Sequence, residues 1–264
     1  DSTLVLYLDA VRSVNQLIIR EDNKKKLIEK VCKTLTDIRG FTSAWVALIN
    51  SQNTYATHIA SSNIGQSFEA LKKQMQEGNF PACIQKTLNG NKILVPDKHS
   101  TCSDCVISES YKIPDKILLR LEYAGQVYGV LNVSLPKEIT EDKEEQVLLE
   151  ELADDLSFAL HNIELKEQHQ SAEKELQKSE QTFRNLVENA FDAIYFMRGR
   201  HYEYVNQRFC EITGYNFEEL TSPSFDFEAL LTEQSRQTVE ERYKARQKGE
   251  KIPNQYEIQL KSKD

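Results

Sequence analysis

The chain has 264 residues, with 33 Lys and Arg against 41 Asp and Glu, and a net charge of -8. That balance speaks against a general nucleic-acid-binding surface, because neutralising phosphates takes a clustered excess of Lys and Arg. A length of this order predicts two domains, each large enough to bury its own core, and no run approaches the eighteen or more consecutive apolar residues of a membrane span. The expectation is a soluble, cytoplasmic chain. Because it begins without Met and stops after KSKD inside a strand-like pattern, it reads as a piece of a longer protein.

Helical spacing runs through Leu4, Leu8, Val11, Val14, Leu17 and Ile18, and again through Leu27, Ile28, Val31, Leu35 and Ile38, with Gly40 closing the second helix. The basic cluster Asn23-Lys24-Lys25-Lys26 stands where that second helix starts and reads as a solvated face. SAWVALIN and TYATHIASS predict a hairpin around Ser51-Gln52-Asn53. SFEALKKQMQEG and PACIQKTLNG predict helices, KILVPD a short strand, and KILLRLEYAGQVYGVLNVSL a second hairpin around Ala124-Gly125. This order predicts an α+β domain, an antiparallel sheet with helices gathered on one face.

Three of the five cysteines, Cys83, Cys102 and Cys105, fall around one loop region with His99. Two thiols in a C-x-x-C spacing lie close enough to share a metal or to form a disulfide, and a third Cys with His99 completes a four-ligand set. The alternatives are a redox thiol switch, a metal, iron-sulfur or haem site, or an organic ligand with no cofactor. The residue-level alternative is that Cys83 is a small core hydrophobe and the Cys102 and Cys105 pair an inert surface feature. Packing on apolar helical faces accounts for Cys32 and Cys210.

The stretch GQVYGVLNV, followed by a polar loop and a long amphipathic helix opening at Glu141-Asp142, resembles a GAF domain over about residues 20 to 165. That resemblance implies a small-molecule pocket between the sheet and the loops above it, with occupancy relayed through terminal helices. The Asn-Lys-Phe-Asp-Glu set of cyclic-nucleotide-binding members is not assembled, Asn91-Lys92 and Asp97 being a partial match, and the bilin-attachment pattern is missing. Phe80-Pro81-Ala82-Cys83 and Val95-Pro96-Asp97 are also similar to GAF-type free methionine sulfoxide reductases, although the Gly-Val-Cys-Gly stretch of that family has no counterpart.

A long helix over 141–187 carries two apolar runs, Leu149, Leu152, Leu156, Ala159 and Ile163, then Leu165, His169, Ala172, Leu176, Ser179, Phe183 and Leu186. Alternating steps of three and four predict the seam of a parallel two-stranded coiled coil, with a change of phase between Ile163 and Leu165 where twist is relayed. The alternative is a solvated linker helix that pairs because the domains at its ends pair. Leu152, Leu156, Ile163, Leu165, Leu176 and Phe183 are the signalling positions on this reading.

From Glu180, FRNLVENAFDAIYFMRGRHYEYVNQRFCEITGY resembles the opening of a PAS domain. Asp192 is placed to cap or bridge backbone, Asn206 to cap the next helix, and Gly214 to end it. SRQTVEERYKARQKGE is the longer PAS helix and PNQYEIQLKSKD a third strand, so the PAS part is incomplete and lacks the last strands. The expected divisions are 1–165 for the GAF-like domain, 141–187 for the signalling helix and 180–264 for the PAS domain. Their order resembles the input region of a sensor histidine kinase of a two-component system. It implies a homodimer through the long helix, a kinase domain in cis and a response regulator reached indirectly, with no catalysis in this fragment.

Overall fold

The computed structural model describes residues 12–14, 16–18, 20–37, 41–90, 92–96, 105, 116–136, 140 and 142–263. Two compact units divide the chain, Asp1–Gln170 and Ser171–Asp264.

In the first unit, helix α1 (Lys24–Asp37) buries Leu27, Ile28, Val31, Cys32 and Leu35, one stripe at helical spacing. Asn23 caps it, its side-chain oxygen accepting from Lys26 N at 3.0 Å. Strands β1 (Ser43–Ile49) and β2 (Ala56–Ser62) form the first hairpin, followed by α2 (Phe68–Gln76), α3 (Ala82–Asn89) and the two-residue β3 (Ile93–Leu94). Strands β4 (Lys116–Tyr123) and β5 (Gln126–Ser134) form the second hairpin. Its turn places Ala124 at φ 52° and Gly125 at φ 79°, the signs a type I′ turn demands. The sheet runs β2-β1-β5-β4-β3, and every pairing is antiparallel.

The class is the α+β arrangement the sequence predicts, but the helices divide between both faces of the sheet instead of gathering on one. Val46, Leu119 and Leu131 share a cluster with α1 and with Leu152, Leu156 and Ile163 of the long helix α4 (Lys143–Glu188). Trp45, Leu118 and Val130 share a second cluster with Phe68, Leu71 and Met75 of α2 and Ile84 and Leu88 of α3. The physical reason lies in β1, which is buried on both sides from Ser43 to Leu48. A strand apolar on both faces needs cover on both.

Helix α4 is one uninterrupted helix of 46 residues. Its N-terminal half turns Leu149, Leu152, Leu156, Leu160 and Ile163 into the first core, each buried leucine contributing about 1.5–3 kcal/mol. This corrects the first coiled-coil seam, because residues already buried against their own sheet offer nothing to a second helix. There is also no break at Ile163–Leu165. Two residues on an α-helix lie about 200° apart, so the change of phase is a change of face.

The second unit has the hairpin β6 (Tyr195–Arg198) and β7 (His201–Val205), then α5 (Gln207–Thr213), α6 (Phe217–Leu220), a 3-10 turn at Phe227–Leu230 and α7 (Glu233–Gln247). Tyr202, Val205, Phe209, Leu220 and Leu230 make its core. Asn206 and Asn216 cap α5 and α6, the latter in a full capping box with Glu219, and Gly214 ends α5 at φ 77° as expected. The predicted third strand is not formed. Residues 251–263 make a single antiparallel bridge, Leu231 to Leu260, while β6 and β7 pair only with each other.

Candidate functional site

Pro81 starts α3 with φ -57°, and its carbonyl accepts from Ile84 N and Gln85 N, both at 3.0 Å. This turn sets Cys83 on the inner face beside Ile84 and Leu88, 5% exposed. Cys105 is 6% exposed and lies in the same apolar cluster. Both thiols line one small cavity with Trp45, Lys116, Asn132 and Ser134. Its floor is a polar patch on an otherwise apolar sheet, with Ser43 Oγ donating to Ser134 Oγ at 2.9 Å and Asn132 Nδ2 to the Ile117 carbonyl at 3.4 Å. At about 20 Å³ the cavity has room for one water.

Of the predicted set, the structure therefore brings Cys83 and Cys105 to one cavity, while His99 and Cys102 lie outside the described residues. Among the described residues no three His, Cys, Asp or Glu side chains are grouped as metal ligands. Cys32 is a core residue: burial pushes its thiol up to about 12, and its Sγ donates to the Ala60 carbonyl at 3.6 Å.

The second functional element is the outward side of α4. Leu152 and Leu156 are fully buried and Ile163 is 5% exposed, whereas Leu165, Leu176 and Phe183 are 50%, 62% and 69% exposed. Val147 and Phe158 are exposed as well. These five outward residues are spaced eleven, seven, eleven and seven apart. Each pair of spacings makes eighteen residues, or five turns at 3.6 residues per turn, so by helical spacing they share one angular position, opposite that of Leu152, Leu156 and Ile163. Periodicity alone hid this, because Val147 and Phe158 lie outside the three-and-four stepping that marks the buried run.

The third element, which sequence reasoning saw only as a cap, is Asn206. It is fully buried. Its Oδ1 accepts from Ile194 N at 2.9 Å and Phe209 N at 3.0 Å, and its Nδ2 donates to the carbonyls of Val187 at 2.9 Å and Asp192 at 3.0 Å. Glu188 accepts from the Tyr204 hydroxyl at 2.6 Å and from Gln207 N at 2.9 Å. Burial and that carboxylate partner push Tyr204 up to about 12, so it stays a neutral donor. At this junction Asp192 takes part through its carbonyl, not as the side-chain cap the sequence suggests.

Residues 181–244 match the PAS domain family. The fold of the chain is similar to that of the GAF domain of a phosphoenolpyruvate-protein phosphotransferase from Acinetobacter, at 13% identity and TM-score 0.46, over 60% of this chain and 94% of that one. It is also similar to the free methionine-R-sulfoxide reductase of Neisseria meningitidis, at 13% identity and TM-score 0.47, over 63% and 95% of the two chains. A third similar structure is the GAF domain of a protein described as a sensor histidine kinase from Pseudomonas syringae pv. tomato, at 14% identity and TM-score 0.45, over 65% and 96%. No curated protein matches the chain.

Proposed function

We propose that this chain is the sensory part of a signalling protein. On this reading a GAF-type domain senses a small ligand or a redox change, and α4 carries the result as half of a parallel homodimer to a PAS domain and a histidine kinase of a two-component system. The observation that carries it is the outward stripe of α4, Val147, Phe158, Leu165, Leu176 and Phe183. A single stripe of large apolar side chains along a helix otherwise polar on that side is a surface built to be covered. A second copy of the same helix, side by side and in register, offers a stripe of equal length and phase.

Light scattering on the full chain tests the dimer. A mass of two chains at tens of micromolar, falling to one in a Leu165→Glu, Leu176→Glu variant, is the expected result. A mass of one chain for the unaltered protein rejects the reading. The kinase part of the proposal rests on the order of GAF-like domain, helix and PAS domain.

A second reading, that the signal is oxidative, is favoured by the common cavity of Cys83 and Cys105. Mild peroxide treatment followed by non-reducing peptide mapping should then show a Cys83 to Cys105 crosslink. Its absence after peroxide treatment long enough to oxidise the half-buried Met197 retires the thiol pair.

A further inference from the structure

On the opposite face of the sheet from the cysteines lies a larger cavity of about 320 Å³, in the range that takes small ligands. Buried Leu48, Tyr128 and Leu160, with half-buried Val127, form its base, and the rim is charged. Two carboxylates on α4, Glu164 and Glu167, converge there on one cation, the Lys24 ammonium of α1, at 3.1 Å and 3.4 Å. Gln126 Nε2 also reaches Glu164 Oε1 at 3.4 Å. The positive groups do not converge in the same way. Lys24 is engaged by the carboxylates, Lys25 is exposed, and the Asn23 side chain is committed to Lys26 N.

We propose that this cavity is a binding site for a small primary amine, an alkylammonium ion with a body of a few carbons. Its ammonium takes the place of Lys24 between Glu164 and Glu167, and its carbons cover Leu48, Val127 and Leu160. Lys24 shows that the carboxylate pair accepts an ammonium group, three N–H donors meeting two carboxylates one helical turn apart. A free amine brings what Lys24 cannot, an apolar body to fill the base, at roughly fourfold in affinity per methylene buried. The Tyr128 hydroxyl, in contact with His161 Nδ1 at 2.7 Å, is held neutral by burial and by Glu164 and closes the inner end without adding charge. Binding replaces a tie between α1 and α4 with a contact to α4 alone, which on the proposed signalling reading makes the amine an effector of the helix.

Calorimetric titration of the full chain with n-butylammonium, butyrate and tetramethylammonium tests the site. Saturable binding of n-butylammonium is expected, with none for butyrate, which has the wrong charge, or for tetramethylammonium, which has no N–H. Lys24→Met removes the internal competitor and should tighten binding about tenfold. A Glu164→Gln, Glu167→Gln variant should lose it. The proposal is overturned if butyrate binds instead, if the double variant keeps its affinity, or if Lys24→Met shows no saturable heat at about 10 mM amine. Should circular dichroism show the double variant unfolded, the Lys24→Met titration decides alone: tightening supports the site and unchanged or absent binding rejects it. Light scattering on the same samples separates this result from the dimer, since a silent titration of an intact dimer rejects the amine site only.

Discussion

Ile163 and Leu165 stand two residues apart on α4 and face opposite ways, the first 5% exposed and packed in the core of its domain, the second 50% exposed. One helix thus has a side that holds a domain together and a side left exposed. Substitutions on the two sides should have separable effects. Leu156→Ala should cost about 2–5 kcal/mol in urea denaturation, as a fully buried leucine truncation does, and leave the mass in light scattering unchanged. Leu176→Glu should change the mass and leave the denaturation midpoint of the first unit in place. Matching losses from both substitutions would mean the two faces are not independent.

Asn206 should be far more costly to alter than a surface cap. Asn206→Ala removes two acceptor and two donor contacts inside a buried site, a loss on the order of 2–4 kcal/mol. Asn206→Asp keeps the acceptors for Ile194 N and Phe209 N but cannot donate to Val187 and Asp192. Hydrogen exchange should therefore quicken at the Ile194 amide in the Ala variant and much less in the Asp variant. Equal protection at Ile194 in both would count against the hub.

Gly129 sits where β5 pairs antiparallel with β1, and a Cβ there would collide with the Ala47 carbonyl oxygen and stand 2.9 Å from its carbon. Backbone cannot yield by that much without unpairing the strands. Gly129→Ala should lower the stability of the first unit by about 3 kcal/mol, read as a lower urea midpoint with the second unit unaffected. A midpoint within error of the unaltered chain would show that β1 and β5 can part locally.

Cys32 ties stability to alkaline pH. Its thiol titrates at 9.0 in the ordinary case and is pushed up to about 12 by burial in the fold. Between those values the unfolded chain has released a proton that the folded chain retains, so stability from this group is complete below pH 9 and falls as pH rises toward 12. Thermal melting of Cys32→Ala compared with the unaltered chain isolates that contribution from the lysines and tyrosines titrating in the same range. The advantage of the native cysteine should shrink steadily above pH 9; a constant difference would place the thiol in contact with solvent.

Local rules made much of this legible from residues alone. The two hairpins, the Asn206 cap and the Gly214 helix end follow from turn and cap chemistry confined to a few neighbouring residues. What escaped depends on partners distant in the chain. A three-and-four repeat is the same whether a helix meets its own sheet or another helix, so Leu149 to Ile163 read as a seam until the sheet was in place. The unbroken apolar run of SAWVALI already implied cover on both faces, a signal stronger than the order of helices. Asn206 has donors that reach 19 residues back to Val187, a reach no cap rule contains. PNQYEIQLKSKD has strand composition, yet composition cannot supply a neighbouring edge, and only Leu260 finds one.

The four hydrogen bonds of Asn206 leave its amide with no spare capacity. A small turn of the last residues of α4 would not be absorbed by bending, since moving the Val187 carbonyl away strands a buried N–H, and following it pulls the amide oxygen off Ile194 and Phe209. The junction therefore holds the end of α4 stiffly against small shifts, and its hydrogen bonds part together once a shift exceeds their reach. On the proposed signalling reading, a signal crossing it would be thresholded, reaching the second unit as a step and not in proportion to the stimulus.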